Sequence, residues 1–407
     1  MALLKPFEGL RPPRELVRHM VVPPYDVVST EEARDQVRGN ELSFLRICRP
    51  EVDLSGGDVR AAEVHEQGWR NFQSFQARGW LRRESRPCYY LYRQRWGTHE
   101  QVGVVACVSV DAYDAGEIKR HELTRLDKEA ERAHHLEALE AHDEPVFLTY
   151  RAEPRIDALV AEHTRATPEY DFTTEDGMGH TFWVLPPEAN EPLHEAFLRV
   201  PQLYIADGHH RSAAASRVHA HQRARGEAEG GHGLFLAGVF PHDQLRILDY
   251  NRVVKELHGK SPEQLLAELQ RDFVVEPYRR KKPARAHDFG MYLAGRWYML
   301  TAKPGSFPQT PLGELDVSIL QENVLGPLLG IGDPRTDPRL RFVGGARGPE
   351  ELERRVDSGE HRVAFTLFPT RMDALMAIAD AGEVMPPKST WFEPKLLSGL
   401  VVHSFER

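Results

Sequence analysis

Residues 204–215 read YIADGHHRSAAA, an apolar run followed by a charged turn and then by an alanine-rich run. This order predicts a strand, a tight turn at Gly208 and a helix, because glycine tolerates the backbone conformation that such a turn needs. A carboxylate, two imidazoles and a guanidinium then lie within five residues of a helix N-terminus, whose amides attract anions. We therefore expect this segment to form the floor of a functional site.

The composition is that of a soluble globular protein. The chain has 407 residues, of which 41% are hydrophobic and 28% charged, enough for two or three domains. Its net charge of −9 argues against broad binding to nucleic acids or anionic membranes, although a local basic cleft for a phosphate can coexist with it. No apolar run reaches membrane-spanning length and no secretory signal is visible, so the expected location is the cytoplasm.

Helical and strand patterns alternate along the chain, which predicts an α/β fold. Ser29 and Glu32 form a capping-box pattern that opens a helix at 30–38, and alternating residues predict a strand at 44–50. Two runs at 88–94 and 101–110 predict a hairpin. Further helices are predicted at 59–81, 125–141, 154–162, 190–199, 212–226, 262–271, 316–329, 350–357 and 371–381, and further strands at 145–150, 181–185, 234–240, 289–301 and 362–367.

The charged residues of the central turn allow two interpretations. Asp207 can accept hydrogen bonds from helix amides, hold a divalent metal or do both, or it can be a structural cap. Arg211 lies in the first helical turn, where a cation gains nothing from the helix dipole, so an external anion such as phosphate is its expected partner. His209 and His210 should point in different directions, one towards a ligand. These residues alone leave an anion site and a structural cap open.

A second candidate segment is Lys119–Glu122, of sequence KRHE. A glutamate beside a histidine, after an apolar strand-like run, can act as a general base. The alternative is a solvated start of the next helix.

A third candidate is the segment 385–395, MPPKSTWFEPK. Its Lys388 and Ser389 resemble a phosphate-binding loop, but the glycines of such a loop are missing and prolines remove backbone donors. We predict a proline-stiffened lid that carries Lys388 and Ser389 to an anion, and no Walker-type nucleotide fold.

Several separated motifs occur together in one order. They are VPPYDV at 22–27, FLRI with RPE at 44–51, the block 118–150, ADGHHR at 206–211, and MPPKST at 385–390 followed by Pro394-Lys395. On these motifs the chain is identified as a member of the bacterial and archaeal domain-of-unknown-function family 1015, over nearly its whole length.

The turn at 208–211 also resembles the signature turn of the ParB and sulfiredoxin superfamily, which places a nucleotide phosphate there. By this resemblance the chain is similar in function to the free serine kinases, which use ADP or ATP. The resemblance implies a Mg²⁺ ion near Asp207. The carboxylate of Asp207 would be a ligand of this ion or would orient the hydroxyl of the substrate. It implies Glu122 as the base and His121 as a substrate or phosphate ligand. The implied phosphate-holding residues are Gly208, His209, His210 and Arg211.

The resemblance also implies the domain organisation and the function. It places a ParB-like core at 85–255, between an N-terminal segment at 1–84 and a C-terminal α/β region at 256–407 that includes the lid at 385–395. The leading hypothesis is a kinase for a small-molecule hydroxyl, such as that of serine or a related amino acid. The alternatives are a regulatory module that binds CTP or ATP without phosphoryl transfer, and a metal-dependent hydrolase built from His121, Glu122, Asp207 and His209. The expected partners are a small-molecule substrate and a nucleotide, with no nucleic acid and no membrane; a homo-oligomer is compatible with the sequence.

Overall fold

The computed structural model describes residues 4–54, 61–226 and 230–405. The strands, β1 to β21 in chain order, are Leu4–Lys5, Leu10–Arg11, Arg82–Arg83, Tyr90–Trp96, His99–Ser109, Ile118–Lys119, Ala141–His142, Val146–Tyr150, Tyr170–Thr173, Gly179–Val184, Leu203–Asp207, Leu234–Pro241, Arg246–Leu248, Tyr250–Val254, Phe273–Pro277, Asp288–Leu293, Arg296–Ala302, Leu340–Gly344, Val363–Thr366, Trp391–Glu393 and His403–Ser404. The helices, α1 to α13, are Val17–Met20, Thr30–Gln36, Leu45–Cys48, Ala61–Ala77, Val110–Asp114, Leu126–Leu139, Pro154–His163, Asn190–Phe197, His209–Ala224, Pro262–Leu269, Asp316–Leu320, Gly348–Asp357 and Met372–Asp380.

These elements form two compact units. The first comprises the described parts of Met1–Arg120, Thr124–Leu245 and Pro394–Arg407, and the second comprises His121–Leu123 and Arg246–Glu393. The α/β fold class predicted from the sequence is confirmed. No helix within the described residues is long and apolar enough to cross a membrane.

A nine-stranded mixed sheet organises the first unit. Its order is β6-β11-β8-β12-β5-β4-β10-β9, with β1 paired to β5. The pairs β6–β11 and β8–β12 are parallel, whereas β8–β11 and β5–β12 are antiparallel. Every residue of β8 is buried, as are the first four of β11. Asp207 is the last residue of β11 and therefore lies, partly exposed, at the end of a buried strand.

In the N-terminal part of the first unit, the structure confirms one prediction from the sequence and contradicts another. The capping box of Ser29 and Glu32 is present and opens α2 as predicted. Residues 44–50 were predicted to form a strand, which is wrong, since they contain the helix α3. The guanidinium of Arg46 in α3 donates to the carbonyl of Val37 at 3.0 Å. In so short a segment, the alternation of apolar and polar residues typical of a strand cannot be distinguished from the one buried face of a helix. Contacts with residues outside the segment then decide which of the two forms.

The second unit is built on a six-stranded antiparallel sheet, of order β15-β17-β16-β19-β14-β18. Residues 289–301 were predicted as one strand, but Ala294 and Gly295 adopt positive φ and turn the chain into the hairpin β16–β17. The helix predicted at 316–329 is also shorter, because α11 passes into a π-helix at Gln321–Leu325. The helix predicted at 59–81 is found as α4, with residues 59 and 60 outside the described ranges.

Candidate functional site

One residue makes the turn between β11 and α9. Gly208 has φ 95° and ψ 30°, in the left-handed region. A Cβ at this position would lie 3.0 Å from Nε of Arg211. Glycine is thus needed here both for the backbone conformation and for the close approach of the guanidinium.

Asp207 lies between two cations. Its Oδ2 accepts a hydrogen bond from Nζ of Lys395 at 2.8 Å and lies 4.0 Å from Nη2 of Arg211. Its Oδ1 accepts the N–H of Gly208 at 2.8 Å. One carboxylate and two cations therefore occupy a small volume at the start of a 16-residue helix.

Buried amides hold Lys395 in place. The side-chain amide of Gln94 donates to the carbonyl of Lys395 at 2.7 Å, and Gln101 donates to Oε1 of Gln94 at 3.0 Å. Both glutamines are fully buried. Next along the chain, Leu396 lies so close to β12 that a Cβ on Gly238 would be 2.8 Å from its Cδ1. The backbone on the C-terminal side of Lys395 is therefore packed against the sheet.

Arg211 is buried and held by the first unit. One of its guanidinium nitrogens donates to the carbonyl of Pro145. Burial alone would lower the pKa of Arg211, but the carboxylates of Asp207 and Glu144 raise it above its ordinary value. The guanidinium therefore stays charged although it is shielded from water.

A second buried guanidinium, that of Arg132, lies between two carboxylates. It is 3.2 Å from Asp143 and 3.3 Å from Glu144, and the ring of Tyr25 lies 4.2 Å from its Cζ. Nε2 of His135 lies 2.8 Å from the other oxygen of Asp143. Burial alone would raise the pKa of Asp143, but His135 and Arg132 lower it, so this carboxylate is charged.

Glu144 joins this network to two other parts of the first unit. Its Oε1 accepts the N–H of Tyr25 at 2.9 Å and the hydroxyl of Ser398 at 2.8 Å. Burial raises the pKa of Glu144 above its ordinary value. Glu144 thus ties the N-terminal segment and the segment after Lys395 to the strand end beside Arg211.

The two histidines of the turn differ in their surroundings. His209 is buried, with 7% of its surface exposed. Nε2 of His210 accepts the N–H of Arg125 at 3.1 Å, so this nitrogen is unprotonated in that bond and the proton of the neutral ring is on Nδ1.

The remaining predicted site residues belong to the second unit. His121 is buried and its carbonyl accepts the N–H of Met385 at 2.8 Å. Glu122 lines a cavity of about 690 Å³ in that unit. The carbonyl of Lys388 accepts from Arg252 at 2.9 Å, and the hydroxyl of Ser389 donates to the carbonyl of Pro386 at 2.6 Å. The structure therefore brings Asp207, Gly208 and Arg211 together in the first unit, which also contains His209 and His210. The other four predicted site residues belong to the second unit: His121, Glu122, Lys388 and Ser389.

Sequence reasoning did not single out Lys395, Arg132, Asp143 or Glu144 as site residues. All four lie in the motifs quoted above, in the block 118–150 and at 394–395. Two adjacent acidic residues directly before the apolar run 146–150 were the available signal, because charge next to a buried strand needs a partner.

The donor set at Asp207 does not fit a magnesium ion. Oδ2 already accepts from the ammonium of Lys395, and the guanidinium of Arg211 is 4.0 Å away. A divalent cation at this oxygen would lie beside two positive charges, and Mg²⁺ needs oxygen ligands in near-ideal octahedral geometry. We therefore assign no step to a metal held by Asp207.

The family described as "Protein of unknown function (DUF1015)" matches residues 4–318 of the chain. No curated protein sequence matches this chain.

Among solved structures, the chain is similar to a free serine kinase variant in complex with AMP, with 13% identity, a TM-score of 0.37, and coverage of 71% of this chain and 86% of that one. A conserved hypothetical protein from Pyrococcus furiosus matches with 12% identity and a TM-score of 0.35, over 72% of this chain and 92% of that one. SbnI from Staphylococcus aureus, truncated at its C-terminus, matches with 14% identity and a TM-score of 0.36, over 72% and 85%.

Proposed function

The chain belongs to the DUF1015 family of proteins of unknown function, and we propose that it is a nucleotide-dependent kinase that phosphorylates a hydroxyl group of a small molecule. The observation that carries this proposal is the turn between β11 and α9, where Lys395 and Arg211 both approach Asp207 at a helix N-terminus.

This arrangement suits a phosphate. Helix N-termini attract anions through their amides and their dipole, and a guanidinium presents paired donors that match phosphate oxygens. The ammonium of Lys395 adds a second cation, and Asp207 keeps both cations in position when no phosphate is bound. Phosphoryl transfer depends mainly on such positioning and on neutralising charge, so two cations already held at this turn supply much of what the reaction requires.

The acceptor side of the reaction rests on the resemblance to free serine kinases. It assigns Glu122 as the base, His121 as a ligand of substrate or phosphate, and ADP or ATP with Mg²⁺ as the donor. The hydroxyl proton passes to the carboxylate of Glu122 while the new oxygen–phosphorus bond forms and the bond from phosphorus to the nucleotide oxygen breaks. The resemblance alone indicates serine or a related amino acid as the acceptor; it does not take the lining of the cavity at Glu122 into account.

Phosphorus NMR tests the proposal. The protein is incubated with ADP or ATP, MgCl₂ and a panel of amino acids and amino alcohols, and a phosphomonoester signal of the acceptor, separate from that of AMP, is expected. Glu122→Gln should slow its formation by about a hundredfold or more, the usual contribution of a general base. Glu175→Gln, at an exposed hairpin turn, serves as the matched control.

Two outcomes would count against these assignments. Unchanged transfer in Glu122→Gln or Asp207→Asn would remove that residue from the mechanism. Tight nucleotide binding with no product from any acceptor would instead support a nucleotide-binding regulatory module.

A further inference from the structure

We propose that the cavity of the second unit that Glu122 lines binds the acceptor, and that this acceptor is an amino alcohol, with a protonated amine and a hydroxyl but no carboxylate. The reaction in this inference rests on the proposed kinase function, whereas the ligand class rests on the cavity alone.

The cavity has the size and the walls of a small-molecule site. Its volume of about 690 Å³ is within the usual range for such sites. Leu123 and Val384 line it and are 58% and 37% exposed, respectively. Large apolar side chains left open at a cavity favour a ligand that covers them. Other apolar wall residues are Phe307, Ile319, Pro386 and Pro387.

The charged residues that line the cavity indicate the charge of the ligand. The ionisable residues of the lining are four acids and one arginine, an excess of three negative charges: Glu122, Glu322, Asp333, Glu383 and Arg335. The guanidinium of Arg335 bonds both oxygens of Asp333, at 3.0 and 2.9 Å, so this pair neutralises itself. Neither Glu322 nor Glu383 forms an ion pair within residues 4–54, 61–226 and 230–405. A ligand cation is the charge that complements them.

The cavity wall also contains a polar group that lacks a partner. Ser318 lines the cavity and is 8% exposed, and its Oγ has no hydrogen-bond partner in the part of the chain that the structure describes. A buried hydroxyl is normally hydrogen-bonded, so this one favours a ligand or a water at the wall. The π-helix Gln321–Leu325 follows it and places Gln321, Glu322 and Asn323 consecutively in the same wall. Such segments occur frequently at functional sites.

The same charges disfavour a free amino acid. Its carboxylate would enter a lining with an excess of negative charge, whose single arginine is already bonded to Asp333. An amino alcohol avoids that repulsion. Its ammonium is stabilised by Glu322 and Glu383, and its hydroxyl donates to the carboxylate of Glu122.

Calorimetric titration with two matched probes tests the inference. Serinol and L-serine both carry an amine and a primary hydroxyl, and differ in that serinol has a second hydroxymethyl group where serine has a carboxylate. Without nucleotide at pH 7, serinol should bind at least about tenfold more tightly than L-serine. The Glu322→Gln/Glu383→Gln variant should lose about tenfold in serinol affinity. Glu276→Gln, on an exposed position of β15, is the control.

The outcomes separate this inference from the proposed function. L-serine binding as tightly as serinol, no serinol binding, or unchanged serinol affinity in the folded double variant would overturn the cavity assignment. Circular dichroism and thermal melting establish that the variant is folded. Serinol binding without phosphoryl transfer to any acceptor would uphold the ligand class and remove the kinase. Phosphoryl transfer to L-serine without serinol binding would uphold the kinase and overturn the ligand class.

Discussion

Nζ of Lys395 lies 2.8 Å from Oδ2 of Asp207, although the two residues are 188 positions apart in the chain. The lysine side chain is 18% exposed and the aspartate side chain 25%, so water screens the pair less than it screens a surface ion pair. This bond attaches the segment after Pro394 to the central turn. It also places a second cation, beside Arg211, at the turn.

Lys395 should contribute directly to nucleotide affinity. Lys395→Met removes the ammonium and leaves Asp207 beside the site, so ADP should bind about tenfold to a hundredfold more weakly in a calorimetric titration, since a charge-assisted contact contributes about 1.5–3 kcal/mol. Lys395→Arg should keep part of the affinity. Lys5→Met, an exposed lysine of β1, is the control, and equal ADP affinity in Lys395→Met and this control would exclude Lys395 from the site.

Gly208 should be more sensitive to a methyl group than another glycine of positive φ. Gly116 has φ 75° with no atom within 4 Å of a Cβ, so Gly116→Ala isolates the backbone cost of about 1–2 kcal/mol. Gly208→Ala adds displacement of Arg211 to that cost. Urea denaturation should show the larger loss of stability in Gly208→Ala, and ADP affinity should fall in it alone. Equal losses in the two variants would contradict the close approach of the guanidinium.

The buried network around Arg132 should be important for stability. Arg132→Met leaves Asp143 and Glu144 buried without their cation, and breaking a buried pair in this way costs about 3–5 kcal/mol. Arg38 forms an exposed pair with Asp35, so Arg38→Met should change the urea midpoint little. A midpoint in Arg132→Met as high as in this control would show that the network is not needed for folding.

Two stacked histidines should make stability depend on pH. The rings of His142 and His403 lie 6.0 Å apart in the first unit, and burial lowers the pKa of His142 to about 3 and that of His403 to about 4. Since both pKa values lie below the unfolded value of about 6.5, the unfolded chain binds more protons. Their stabilising contribution is complete above pH 6.5 and is lost as pH falls towards 4 and then 3.

Denaturation at several pH values checks this dependence. Each additional proton that the unfolded chain binds lowers the free energy of unfolding by about 1.4 kcal/mol for each unit by which the pH falls. Between pH 6.5 and 4, the free energy of unfolding of His142→Phe should therefore depend less steeply on pH than that of the wild type. His163→Gln, outside the stack, should retain the wild-type slope. An unchanged slope in His142→Phe would mean that these rings are not the linked groups.

Local signals made part of the structure predictable from sequence. The capping box at Ser29 and the glycine turn at 208 depend on neighbouring residues, and both were found where predicted. The strand predicted at 44–50 is instead a short helix, whose Arg46 side chain bonds the carbonyl of Val37 outside the segment. The bond from Lys395 to Asp207 and the carboxylates around Arg132 arise from long-range packing. The adjacent acidic residues 143 and 144 indicate that a partner is needed, but a single sequence does not identify that partner.

The phosphate site at the turn between β11 and α9 is tested most directly by a crystal structure of the protein with ADP. The expected result is a terminal phosphate within hydrogen-bond distance of backbone amides in 208–211, with Arg211 and Lys395 bonded to its oxygens. Phosphates bound elsewhere, with Lys395 still on Asp207 and the turn unchanged, would contradict it.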